Sequence, residues 1–147
     1  MSVTIPGSGQ VVVQAVQVTS GTGVTTSSTV FTSTGFSASI TPRSTSNKIL
    51  VMLCLSSQAN ANNEYTGFQL LRNGSAIITF APQANRISLA AGVGANNGTI
   101  CFDYLDSPAA TTSTTYLINF LVGGPGTAVL NPDGNYSSIT LLEVSGS

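Results

Sequence analysis

Charge is what this chain has least of. Its 147 residues include 4 Lys+Arg and 5 Asp+Glu, so charged residues make up 6% of it, against roughly 25% in an ordinary soluble domain. The hydrophobic fraction, 41%, is close to usual, and Ser, Thr, Asn and Gly fill the difference. The cations Arg43, Lys48, Arg72 and Arg86 are scattered among Glu64, Asp103, Asp106, Asp133 and Glu143. No basic stripe exists to neutralise phosphates, which excludes nucleic acid as a partner. A net charge of −1 gives an isolated subunit little self-repulsion, and charge depletion marks the cores of permanent interfaces. The composition points to an assembly component, with a low-charge monomeric extracellular domain as the alternative.

Histidine is absent. That removes the usual general base, the Ser-His and Cys-His nucleophile pairs, and the commonest transition-metal ligand. Tryptophan is absent too, so a sugar-binding module would lack its best stacking platform. No apolar run approaches the roughly 20 residues of a membrane-spanning helix. The opening Met1-Ser-Val-Thr-Ile-Pro6 has neither a basic nor an apolar leader region. No membrane partner is expected, and the chain reads as made and left in the cytosol. In a reducing compartment Cys54 and Cys101 are expected to be small core hydrophobes, with a disulfide as the alternative.

What is present is strand pattern. From Asn47 to Ser57, Ile49, Val51, Leu53 and Leu55 fall on one side and Leu50, Met52 and Cys54 on the other. Such a strand is apolar on both faces, so it belongs in the middle of a structure. One face can close the domain's own core; the other needs a second layer, for which another copy of the chain is a candidate.

The remaining segments alternate in the same way. Met1–Gly9 is expected to be an arm, followed by a single β-sandwich domain over 10–147. Gln10–Val18 reads as a strand, and Ser20–Ser28 as a loop. Thr29–Ser33 and Phe36–Ile40 read as two short strands broken at Gly35. Tyr65–Arg72 and Ser75–Phe80 flank Asn73-Gly74, the signature of a type I′ hairpin. A turn through Pro82, a weak strand at Arg86–Ala91 and a loop at Gly92–Gly98 come next. Thr99–Leu105 turns Ile100, Phe102 and Tyr104 one way and Asp103 the other, while Thr115–Val122 sets Tyr116, Ile118, Phe120 and Val122 against Leu117, Asn119 and Leu121. Thr127–Leu130 is short, 131–134 is a turn, and Tyr136–Val144 is the last strand. No stretch has a helical period. Nine or ten short strands separated by turns predict an all-β fold, an antiparallel two-layer β-sandwich of jelly-roll type.

Candidate chemistry is sparse. Asp103 and Asp106 are the one close carboxylate pair, a conceivable glycosidase dyad, but they read better as a polar strand face and a turn starter before Ser107-Pro108. Asn131, Asp133 and Asn135 resemble the start of a calcium loop, yet the glycine is misplaced and no bidentate Glu follows. No enzyme activity, cofactor or metal is expected.

Several segments taken together, Phe36-Ser-Ala-Ser-Ile-Thr-Pro42 with Asn47-Lys-Ile-Leu-Val51, Phe68-Gln-Leu-Leu-Arg-Asn-Gly74, Phe102-Asp-Tyr-Leu-Asp-Ser-Pro108 and Ser138-Ile-Thr-Leu-Leu-Glu-Val144, resemble a recurrent virion-protein domain of tailed bacteriophages, including marine and cyanobacterial ones. With Gln10–Val18 the resemblance spans about Gln10–Val144. It implies a non-enzymatic virion component, assembled in the host cytoplasm. One expectation is a trimeric capsid decoration or cement subunit partnered by the major capsid protein. The other is a tail-fibre or spike tip, partnered by a host surface receptor or other tail proteins. The short arm before the domain, with no shaft, favours decoration. A homotrimer is expected in either case, with Val11, Val13, Gln14, Val16 and Gln17 as its candidate interface.

Overall fold

The two-sided apolar stretch does run through the middle of the molecule. The computed structural model describes residues 11–61, 64–84 and 95–145. Its ten strands are β1 (Val12–Ser20), β2 (Val24–Thr26), β3 (Thr32–Ile40), β4 (Lys48–Ala59), β5 (Tyr65–Arg72), β6 (Ser75–Ala84), β7 (Asn96–Asp106), β8 (Thr114–Gly123), β9 (Ala128–Leu130) and β10 (Ser137–Val144). Among the described residues the sole helical feature is a 3-10 turn at Pro132–Gly134.

Every ladder is antiparallel. β4 is bordered on one side by β7 and on the other by β10, then by β9 where β10 ends. β1 pairs with β10 and β2 with β9, which makes a six-stranded sheet. The second sheet runs β3-β8-β5-β6. With the short β2 and β9 set aside, the orders β1-β10-β4-β7 and β3-β8-β5-β6 are those of a jelly roll, two interleaved Greek keys folded into a two-layer sandwich. The Arg86–Ala91 strand and the Met1–Gly9 arm lie outside the described residues.

The core forms where the alternating apolar positions of both sheets meet. Ile49, Val51, Leu53, Leu55, Ile139 and Leu141 come from the larger sheet, and Phe68, Leu70, Tyr116, Ile118, Phe120 and Val122 from the smaller; all are buried. Phe80 of β6 stacks on Phe68 at 6.0 Å and on Phe102 of β7 at 4.8 Å, so one aromatic column bridges the layers.

Local chemistry explains the boundaries. Asn73 (φ 48°) and Gly74 (φ 83°) take the positive-φ pair of a type I′ turn between β5 and β6. Gly35 (φ 71°) does not end a strand, as its sequence context suggests; it bulges one, and the β3–β8 register shifts between Ser33 and Ser37. The Thr34 hydroxyl repairs the gap, donating to the Ile118 carbonyl at 2.6 Å and accepting from the Phe36 N–H at 3.0 Å. β6 continues through Pro82 to Ala84 where a turn was expected, because β6 is an edge strand and one of its backbone rows needs no partner. β2 occupies part of the expected Ser20–Ser28 loop, and β7 begins at Asn96 within the expected Gly92–Gly98 loop.

Candidate assembly surface

The outer face of the six-stranded sheet is the least ordinary surface of this molecule. Register places Ala15, Leu142, Leu50 and Leu105 in one row across β1, β10, β4 and β7. Val12, Val144 and Lys48 form the row beside it, and Gln17, Thr140, Met52 and Asp103 the row beyond. Val12 is 57% exposed, Leu105 51% and Met52 38%, although each is a side chain ordinarily withdrawn from water. Exposed Lys48 and Asp103 flank the strip, and among the described residues no other charge stands on these three rows. The face is pleated and apolar along one diagonal. Contiguous patches of this kind mark interaction surfaces, whereas scattered single exposures do not.

β1 is the edge strand beside this strip. Among its expected interface residues, Val11 is 58% exposed just ahead of the strand, its N–H donating to Ser145 Oγ and its carbonyl accepting from the Ser145 N–H, each at 3.0 Å. Gln17 also faces outward, its Nε2 donating to Thr140 Oγ1 at 2.9 Å. Val13 sits half-buried at a register shift between Val12 and Gln14. Val16 packs against the core. Gln14 turns inward, donating to Glu143 Oε2 at 2.6 Å and the Thr41 carbonyl at 2.8 Å. The five residues therefore lie on both sides of the strand.

Glu143 anchors that edge. Fully buried, it accepts from Asn47 Nδ2 at 2.6 Å, the Arg43 N–H at 2.7 Å and Gln14 Nε2. Burial alone would raise its pKa; the hydrogen bonds from Asn47, Arg43 and Gln14 more than offset this and hold the carboxyl below its ordinary range.

A second buried carboxylate corrects the sequence reading. Asp106 is no exposed turn starter: it ends β7 facing inward, with Arg72 Nη1 at 2.8 and 2.9 Å and the Tyr116 hydroxyl donating at 2.7 Å. Arg72 and Tyr116 belong to the smaller sheet, so this cluster ties the two layers together at one end. Burial, followed by the hydrogen bond to Asp106, pushes the Tyr116 phenol far above its ordinary range. Asp103 is exposed on the opposite face of the same strand, so the two aspartates cannot flank one glycosidic bond. Asn131 is likewise committed internally, donating to the Thr22 carbonyl at 3.0 Å and accepting from the Ser137 hydroxyl, while Asp133 and Asn135 are exposed.

The cysteines are not core residues, contrary to expectation. Cys54 and Cys101 are direct cross-strand partners on the outer face, Cys54 half-buried and Cys101 exposed, because alternation from the core residues Leu53 and Phe102 puts both outside. Near them a shallow polar hollow of about 270 Å³ is lined by Ser56, Asn97, Gly98, Thr99, Asn135 and Tyr136. The outward run Cys101, Asp103, Leu105 could have revealed Leu105 from alternation alone; Val12 and Leu142 needed the register.

No family model and no curated protein matches the chain. Among solved structures it is similar to the VP2 subviral particle of infectious bursal disease virus, at 13% identity over 90% of this chain and 40% of that one, with a TM-score of 0.49. It is also similar to infectious bursal virus derived T=1 particles, at 13% identity over 98% and 42% of the two chains, with a TM-score of 0.47. The chain spans about two fifths of the length of these structures, and the likeness is one of fold alone.

Proposed function

We propose that this chain is a non-enzymatic virion structural protein, a homotrimeric capsid decoration or cement subunit that bridges and stabilises neighbouring capsid proteins. The observation that carries the reading is the exposed apolar strip Val12–Leu142–Leu50–Leu105–Met52 on a chain with 6% charged residues. A subunit with so little charge and so much apolar sheet surface gains by covering it, at roughly 25 cal/mol per Å² removed from water. The segment resemblance to phage virion domains points the same way. In the trimer, Val11 and Gln17 contact the neighbouring copy beside the strip, Val13 supports the bulged edge, and Gln14 and Val16 hold β1 from beneath. A rigid trimer touching several shell subunits at once makes each further contact intramolecular, so modest individual contacts combine into a durable clamp.

A fibre or spike tip that binds a host glycan is the second reading. The polar hollow beside Asn97 and the 75% exposed ring of Tyr136 favour it, since sugars take polar partners and an aromatic face. The experiment that tests the strip as the trimer interface changes Leu105. Leu105→Lys, on an exposed position of an edge strand, is expected to leave the circular dichroism of the fold intact and convert a trimer to monomers, read by light scattering. A variant that stays trimeric removes the strip from the interface.

A further inference from the structure

Cys54 and Cys101 face each other across the β4–β7 ladder, and neither is used by the core or by the Leu50–Leu105 row. They stand in the row with Ser138 and Thr19, on the polar side of Met52. We infer that this pair is a redox modification site: meeting a low-molecular-weight disulfide of the glutathione class, it closes into a cross-strand disulfide that clamps β7 onto β4.

The geometry needs little movement. Directly opposed residues of an antiparallel pair have Cβ atoms about 4.5–5.5 Å apart, and a disulfide holds them at about 3.5–4.5 Å. The approach required is on the order of 1 Å. β7 can supply it because, among the described residues, it is hydrogen-bonded to a neighbour on one side only. The neighbouring Cys101 thiol, with partial burial, pushes the Cys54 thiol above its ordinary range. Cys101, the exposed partner, is therefore the first to react.

The exchange balances without any further reagent. The Cys101 thiolate attacks one sulfur of the small disulfide, forming a mixed disulfide and expelling one small thiolate. The Cys54 thiolate then attacks Cys101 Sγ, forming the protein disulfide and expelling the second. The two cysteines are oxidised by two electrons, the small disulfide is reduced by two, and the two thiol protons pass to the two leaving thiolates. The product joins strands that are distant in sequence and closes a long loop, which restricts the unfolded chain.

The test treats the purified full-length protein with oxidised glutathione and maps its peptides without reduction. The expected result is a Cys54–Cys101 link within one chain, no retained glutathione, and a Tm raised by about 5–15 °C and restored by a dithiol reductant. Cys54→Ser is expected to stall with glutathione on Cys101. A wild-type protein that stalls in the same state, keeps both thiols free, links between chains or shows no rise in Tm overturns the inference. None of these outcomes bears on the proposed virion role, which rests on the apolar strip.

Discussion

Replacing Asp106 by alanine strikes the place where, among the described residues, an ion pair and a phenol tie the two sheets together. The carboxylate accepts from Arg72 Nη1 through both oxygens and from the Tyr116 hydroxyl. Tyr116 is fully buried, so its orphaned hydroxyl has no route to water and costs about 1–3 kcal/mol. The Arg72 side chain is 32% exposed and Asp106 only 7%; the guanidinium can turn to solvent, which keeps its share well below the roughly 3–5 kcal/mol of a fully buried broken pair. The expected loss is about 2–4 kcal/mol in all, from the hydroxyl and the partial ion-pair terms together. Urea unfolding followed by tyrosine fluorescence measures it, with Asp103→Ala as the control on the exposed face, expected within about 0.5 kcal/mol of wild type. Tyr116→Phe made in the Asp106→Ala background should recover part of the loss, because it removes the orphan. Equal stabilities for the Asp103 and Asp106 variants would refute the layer-tie reasoning.

Two further outcomes follow from the buried positions. Glu143 titrates below its unfolded value, so the native state binds fewer protons than the unfolded state as pH falls; its contribution is complete above about pH 4.5 and is lost as pH drops through the folded value. Glu143→Gln should flatten the acid limb of the stability curve and lower neutral-pH stability by about 1–3 kcal/mol, and an unchanged acid limb in pH-dependent urea titrations would count against the Asn47–Arg43–Gln14 cradle. Leu53 is 2% exposed, and Leu53→Asp places an uncompensated charge in the core at a cost of several kcal/mol, comparable to the whole stability of a small domain; soluble, folded protein with that change would contradict its core position.

The layers were legible because period-2 alternation is a local property. Ile49 to Leu55, Ile100 to Tyr104 and Tyr116 to Val122 each announced their inward rows, and Asn73-Gly74 announced its hairpin. Lateral pairing was not legible, since nothing in a strand's own residues states which strand lies beside it. That Asp106 would meet Arg72 and Tyr116, or Cys54 meet Cys101, depends on registers between segments far apart in the chain. The same holds for the surface. The second apolar face of β4 was visible in Leu50 and Met52, but its extension through Leu142, Leu105 and Val12 exists only once β10, β7 and β1 are aligned. Gln14 shows the limit most sharply: it shares the parity of Val16 and Val18, which pack on the core, but that its amide meets the buried Glu143 depends on the β1–β10 register.

The claim that this subunit works on a capsid shell is tested most directly by locating it. In purified particles that carry the chain, labelling with an antibody raised against the folded domain should decorate the shell at many regularly spaced positions, with label in trimeric clusters across junctions between capsid subunits. Label confined to a few copies at a tail would contradict the cement account and assign the chain to receptor binding.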